Sequence, residues 1–78
     1  MSITQRLIEY HIGRLKDKSP AVRIKSIQEL VLLEAIDALD TLEHVFRTDP
    51  DPAVRQAAQE AGRTLFGVKQ RSDGGSGP

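Results

Sequence analysis

The sequence predicts an all-α fold of two stacked helix-turn-helix repeats, and two observations carry that expectation. Asp17-Lys18-Ser19-Pro20-Ala21-Val22-Arg23 returns 32 residues later as Asp49-Pro50-Asp51-Pro52-Ala53-Val54-Arg55. Each copy opens a stretch in which apolar residues recur at helical spacing. Self-similarity at a period of about 20–50 residues marks proteins built by stacking one supersecondary unit on the next.

Four helices follow from the local signals. Ser2, with Gln5 three residues on, has the form of a capping box, and Ile3, Leu7, Ile8, Ile12 and Leu15 supply one apolar stripe behind it. Gly13 lies inside this helix at a cost of about 1 kcal/mol relative to Ala, which a close neighbouring helix would explain. The second helix starts at Ser19-Pro20. Serine caps free N–H groups, and proline at the first helical position gives up an N–H that has no partner there. Val22, Ile27, Leu30 and Val31 form its buried face, with Ile24 partly off the stripe.

No Gly or Pro interrupts residues 30–36, but the apolar stripe changes phase near Leu33-Glu34. The period leaves room for two helices and two tight turns per repeat, so a break is expected there. A third helix then carries Ile36, Leu39, Leu42, Val45 and Phe46 inward. It ends before Asp49, because the residue preceding each of Pro50 and Pro52 is pushed out of helical geometry. Asp51 caps the fourth helix, Pro52 takes its first position, and Val54, Ala57, Ala58, Ala61 and Leu65 make a face small enough for close helix approach. Repeat 1 thus spans about residues 3–33 and repeat 2 about 34–66, inside a domain of residues 1–67. Residues 68–78, ending in Gly74-Gly75-Ser76-Gly77-Pro78, are expected as a flexible, disordered C-terminal tail.

Composition narrows the function classes. A chain of 78 residues is one domain at most, with a core yielding roughly 3–5 kcal/mol of stability. It has no Cys for disulfides or for zinc ligation, so helix packing or a partner must supply that stability. No apolar run is long enough to span a membrane, and the N-terminus lacks a signal-peptide pattern, so a cytoplasmic location is expected. Eleven Lys and Arg balance eleven Asp and Glu, which argues against a general nucleic-acid binder. The charges are nonetheless segregated. Residues 14–25 carry Arg14, Lys16, Lys18, Arg23 and Lys25 against Asp17, while residues 29–51 carry seven acidic side chains against Arg47. Such faces are ordinarily solvated; the alternative is that they steer an oppositely charged partner or a second copy.

The phrase Asp-x-x-Pro-Ala-Val-Arg, followed three residues after the Arg by Ser26 or Ala58, resembles the second-helix signature of HEAT repeats. The short period is similar to that of the bacterial HEAT-like class named for phycobilisome lyases. The resemblance covers about residues 3–66. On the residues alone, Asp17 and Asp49 can accept hydrogen bonds from free N–H groups at the next helix start or from a guanidinium. Arg23 and Arg55 lie within reach of the Asp of their own or the adjoining repeat. The resemblance implies the second pattern, an Asp–Arg ladder along the stack, with Ser19, Pro20, Asp51 and Pro52 as caps. It also implies that the second and fourth helices line the concave side. On them Lys25, Gln28, Glu29, Gln56, Gln59, Glu60 and Arg63 lie outside the apolar stripes and form the expected protein-binding face.

No set of residues calls for catalysis, a metal or a cofactor, and the chain is expected not to be an enzyme. Nucleophilic catalysis needs a base placed beside the nucleophile; Ser2 and Ser19 read as caps and Ser26 as a packing residue. His11 and His44 lie at near-matching points of the two first-type helices with no acidic set to single them out. Glu43-His44 reverses the His-Glu order of HEAT-like iron hydroxylases and has no second pair. Aromatic residues are Tyr10, Phe46 and Phe66 only, a poor match to HEAT-like DNA glycosylases. The expected function is therefore a small non-catalytic protein-binding adaptor whose partner is another protein. A homodimer through the solenoid ends or the charged faces is a second expectation. The competing readings are an accessory subunit of a larger enzyme, of the pigment-attachment type, and a nucleic-acid-associated module resting on residues 14–25. The end around Leu65, Phe66 and Val68 reads as the less protected one, whereas Arg6, Glu9, Tyr10 and Arg14 form a polar cap at the other.

Overall fold

The computed structural model describes residues 2–74. Among them are four α-helices, α1 (Ile3–Arg14), α2 (Pro20–Leu32), α3 (Leu39–Thr48) and α4 (Pro52–Gly74), with a 3-10 turn at Ile36–Ala38 leading into α3. The all-α, helical-repeat expectation holds. α1 packs on α2 and α3 on α4 to make the two hairpins, and α2 packs on α4 to join them. The second-type helices are thus the inner pair, and α4 touches both neighbours.

The helix starts form as their caps dictate. Ser2 Oγ accepts the Gln5 N–H at 3.1 Å, and Ser19 Oγ accepts the Val22 N–H at 3.4 Å. Asp51 Oδ1 takes two N–H groups, from Ala53 at 2.8 Å and Val54 at 3.3 Å. The break after α2 falls where the stripe changes phase. Leu33 caps the helix and Glu34 turns left-handed at φ 52°, the conformation usually given to glycine. The Ala35 N–H then bonds back to Leu30 O at 3.0 Å and the Glu34 N–H to Val31 O at 2.9 Å, the paired bonds of a Schellman turn. Left-handed geometry costs a non-glycine residue about 1–2 kcal/mol. Burial of Ala35 against the core beneath Leu30 offsets it.

The core is one cluster running through both hairpins: Ile8 and Leu15, Ile27 and Leu30, Ala35 and Ala38, Leu42 and Val45, then Val54, Ala58, Ala61 and Leu65. At about 25 cal/mol per Å² such burial is the main favourable contribution to folding. Several expected core positions are not in it. Ile3 and Leu7 are exposed, because the α1 stripe is wider than the strip that α2 covers and no other helix among the described residues packs on that side of α1. Phe46, expected to point inward, is 39% exposed, since α3 buries Leu42 and Val45 and a side chain one step round from Val45 leaves that face. Leu65 is fully buried, as expected for the inner face of α4, and Phe66 beside it is the residue exposed at the less protected end.

Two further expectations change. α4 continues through Gly67 to Gly74, so residues 68–74 are helical where the sequence suggested the tail begins. A single internal glycine costs about 1 kcal/mol, too little to stop a helix that Lys69, Gln70 and Arg71 otherwise favour. Residues 75–78 of that expected tail lie outside the described residues. Gly13 has no close neighbouring helix: a Cβ built there meets nothing within 4 Å. Gly13→Ala is accordingly expected to raise stability by about 1 kcal/mol, read from urea unfolding with an unchanged slope.

Candidate functional site

The junction between the two hairpins is pinned by the repeated motif. Arg23, one turn into α2, sends Nε to Asp49 Oδ2 at 2.8 Å and its second terminal nitrogen to Asp49 Oδ1 at 3.0 Å. The remaining terminal nitrogen donates to Asp17 O at 2.7 Å and Lys18 O at 3.2 Å. Asp49 Oδ1 also accepts the Asp51 N–H at 2.9 Å. The two side chains are only 10% and 6% exposed, so this forked ion pair is a desolvated one. Burial pushes the Asp49 carboxyl up, but the hydrogen bonds from Arg23 and the Asp51 N–H, with the charges of Arg23 and Arg55, outweigh it. The group is held below its ordinary value of 3.8. The repeated Asp and Arg thus join across repeats as a rung, and four of the five N–H donors of Arg23 are used.

The second copy of the motif repeats half of this arrangement. Arg55 donates one terminal nitrogen to Asp49 O at 2.7 Å, the same distance at which Arg23 holds Asp17 O. Asp17 Oδ1 accepts the Ser19 N–H at 2.9 Å, as Asp49 Oδ1 accepts that of Asp51. Its other oxygen lies 3.7 Å from Arg14 in a partly exposed pair. Each Asp therefore shapes the turn before its helix, as the sequence suggested.

The seven residues expected to form one binding face are divided by the structure. Gln28 and Glu60 come together, lining a groove between α2 and α4 whose floor is Ile27, Val31, Ala57 and Ala61. Gln59 instead lines a second groove, between α3 and α4. Lys25 and Glu29 pair with each other at 3.6 Å along α2, and Gln56 donates to Glu60 at 3.3 Å along α4. Arg63 is exposed and lines neither groove.

The residues that sequence reasoning missed are the apolar ones beside these grooves. Leu32, at the end of α2, is 76% exposed at the edge of the α2–α4 groove. Its signal was present: it belongs to no buried stripe, sitting where the stripe changes phase. Phe46 and Phe66 both line the α3–α4 groove, and so does Gly62, where an added Cβ would meet nothing within 4 Å. A third groove, between α1 and α3, contains His44 together with Thr41, Thr48 and the rung residues. His11 is not part of it; its Nδ1 is buried without a hydrogen-bond partner, and its ring meets Tyr10 edge-on at 5.1 Å. No helix among the described residues is long and apolar enough to cross a membrane, and no three His, Asp or Glu side chains there converge as metal ligands would.

Comparison with known proteins gives one finding. The family described as HEAT repeats matches residues 3–62, which takes in all of α1 to α3 and the first half of α4. No curated protein and no solved structure matches the chain.

Proposed function

The chain belongs to the HEAT-repeat family, and we propose that it is a non-catalytic adaptor that binds another protein in the groove between α2 and α4. HEAT repeats generally mediate protein–protein interaction, and that family habit is one support. The observation that carries the choice of surface is Leu32, a large apolar side chain three-quarters exposed beside an apolar floor and bracketed by Gln28 and Glu60. Protein interfaces combine an apolar centre with a polar rim, and a few well-placed large side chains supply most of their energy. Leu32 is the anchor in this reading, and Gln28 and Glu60 set orientation.

The finer assignments are part of the same proposal. The short period supports the bacterial, phycobilisome lyase-type subclass, and the lack of Cys, with no apolar spanning helix among the described residues, supports a cytoplasmic setting. A supporting subunit of a larger enzyme is the same binding role with a larger partner, and the groove serves both.

The test is capture of protein from a lysate of the source cells, with the chain immobilised. Leu32→Asp combined with Glu60→Lys is expected to abolish capture of a partner held by the wild type while the melting temperature stays within a few degrees. Both side chains are exposed, and such substitutions usually change stability by about 0.5 kcal/mol or less. Unchanged capture would remove this groove as the binding surface.

A further inference from the structure

The internal junction is a template for what each end of the stack lacks. Arg23 uses one edge of its guanidinium on the Asp17 carbonyl of its own hairpin and the other edge on the Asp49 carboxylate of the next. Arg55 is held by its first edge in the same way, at the same distance, on Asp49 O. Among the described residues that is its one hydrogen bond, so its Nε edge presents an unfilled carboxylate seat. At the opposite end Asp17 is built as Asp49 is, with Oδ1 on the backbone N–H two residues on. Its other oxygen meets Arg14 at 3.7 Å, a long and partly exposed contact of small worth.

We infer that the two ends complete one another, so that copies of this chain stack head to tail through an ion pair from Arg55 of one copy to Asp17 of the next. Each half of the missing rung is supplied by this chain, already oriented by the bonds that orient its filled counterpart. The formal net charge is zero, so no overall repulsion opposes self-association.

The remaining surface at the Arg55 end explains why such stacking is weaker than the internal junction. Ile24, Ile27, Leu30 and Val31 are packed in the junction on α2. Thirty-two residues later, on α4, stand Gln56, Gln59, Gly62 and Arg63. The apolar contribution of α4 at these positions is nearly gone, leaving Phe46 and Phe66 as the exposed apolar side chains of the α3–α4 groove, while the rung is retained, which describes a reversible contact chosen by charge pairing. The contact joins unlike faces, so it extends into chains or rings rather than closing as a two-fold dimer. The α2–α4 groove plays no part in it, and the two readings stand or fall separately.

Charge swapping tests this directly. Wild type, Asp17→Arg, Arg55→Asp and an equimolar mixture of the two variants are compared by sedimentation equilibrium at low ionic strength, from micromolar to millimolar chain. Wild type is expected to climb past the mass of a dimer as concentration rises. Each variant alone sets like charges against each other and should associate about thirtyfold more weakly, or worse. The mixture restores opposite charges at every contact and should recover wild-type association. Asp17→Asn, which keeps an acceptor for the Ser19 N–H, and Arg55→Gln, which keeps a donor for Asp49 O, should lose association with their melting curves preserved. Wild type that stays monomeric to millimolar, variants that associate like wild type, or a mixture that fails to recover would each overturn the inference. So would a monomeric chain whose Arg55 binds hexaglutamate peptide, with binding lost in Arg55→Gln; the seat would then belong to an acidic partner.

Discussion

Asp49→Ala is expected to lower stability by about 3–5 kcal/mol, close to the whole stability of a chain this small. The change leaves the buried Arg23 guanidinium without its counter-charge and the Asp51 N–H without an acceptor. Chemical denaturation should show a chain unfolded in large part before denaturant is added. Replacing both partners, as Arg23→Met with Asp49→Leu, should recover only part of the loss. A buried pair can often be exchanged for apolar side chains at little cost. Here, however, Arg23 also satisfies Asp17 O and Lys18 O, which the double variant abandons.

The same pair sets an acid limit. The Asp49 carboxyl sits below its ordinary value of 3.8 in the folded chain, so protonation favours the unfolded state. Its contribution is fully present above about pH 4 and is lost as pH falls through the lower folded value. Unfolding free energy measured against pH should therefore drop below about pH 4 in the wild type. In Asp49→Asn, whose lower starting stability is set by the broken pair, that fall should be shallower.

Leu30→Ala is the second large effect, expected to cost about 2–5 kcal/mol. Leu30 is fully buried in α2, within the cluster shared by the two hairpins, and its carbonyl anchors the turn at Glu34 through Ala35. Truncation opens a cavity in the shared core, and small members of the same cluster such as Ala58 and Ala61 have little side chain with which to refill it. Leu32→Ala, two residues on, is the internal control. That side chain is mostly exposed, and its removal should change stability by about 0.5 kcal/mol or less. Equal losses at the two positions would mean that α2 presents a different face to α4.

What the sequence disclosed and what it hid follow from how local each signal is. Ser19, Asp51 and the prolines after them act within one helical turn, so the starts of α2 and α4 were readable from composition and spacing. The turn at Glu34 was visible only as a change of phase, because a glutamate stands where a glycine would have marked it. Residues alone left open whether Arg23 would take its own Asp17 or the Asp49 across the junction. The answer is both, carbonyl from one and carboxylate from the other, and that division depends on how α2 meets the turn between α3 and α4 in space.

The candidate surfaces were less legible. Periodicity says that Ile3, Leu7 and Phe46 share a helix face with buried residues, but a stack with two ends covers only part of that face. Leu32 was exposed by the same geometry, whereas the exposure of Phe66 was already readable from its place at the less protected end. The expected polar face lay on α2 and α4, and their packing turned Gln59 toward α3 while Gln28 and Glu60 met between the two helices.

Everything proposed for this chain depends on the two hairpins forming one unit, held by the rung and by the core on either side of it. Native-state hydrogen exchange of α2 and α4 amides, in wild type and in Asp49→Asn, measures that unity directly. If the account is right, the slowest amides of the two helices open with the same free energy, and the substitution lowers both by the same amount. Loss of protection confined to one hairpin, with the other unchanged, would mean that the repeats fold independently and that the rung does not join them.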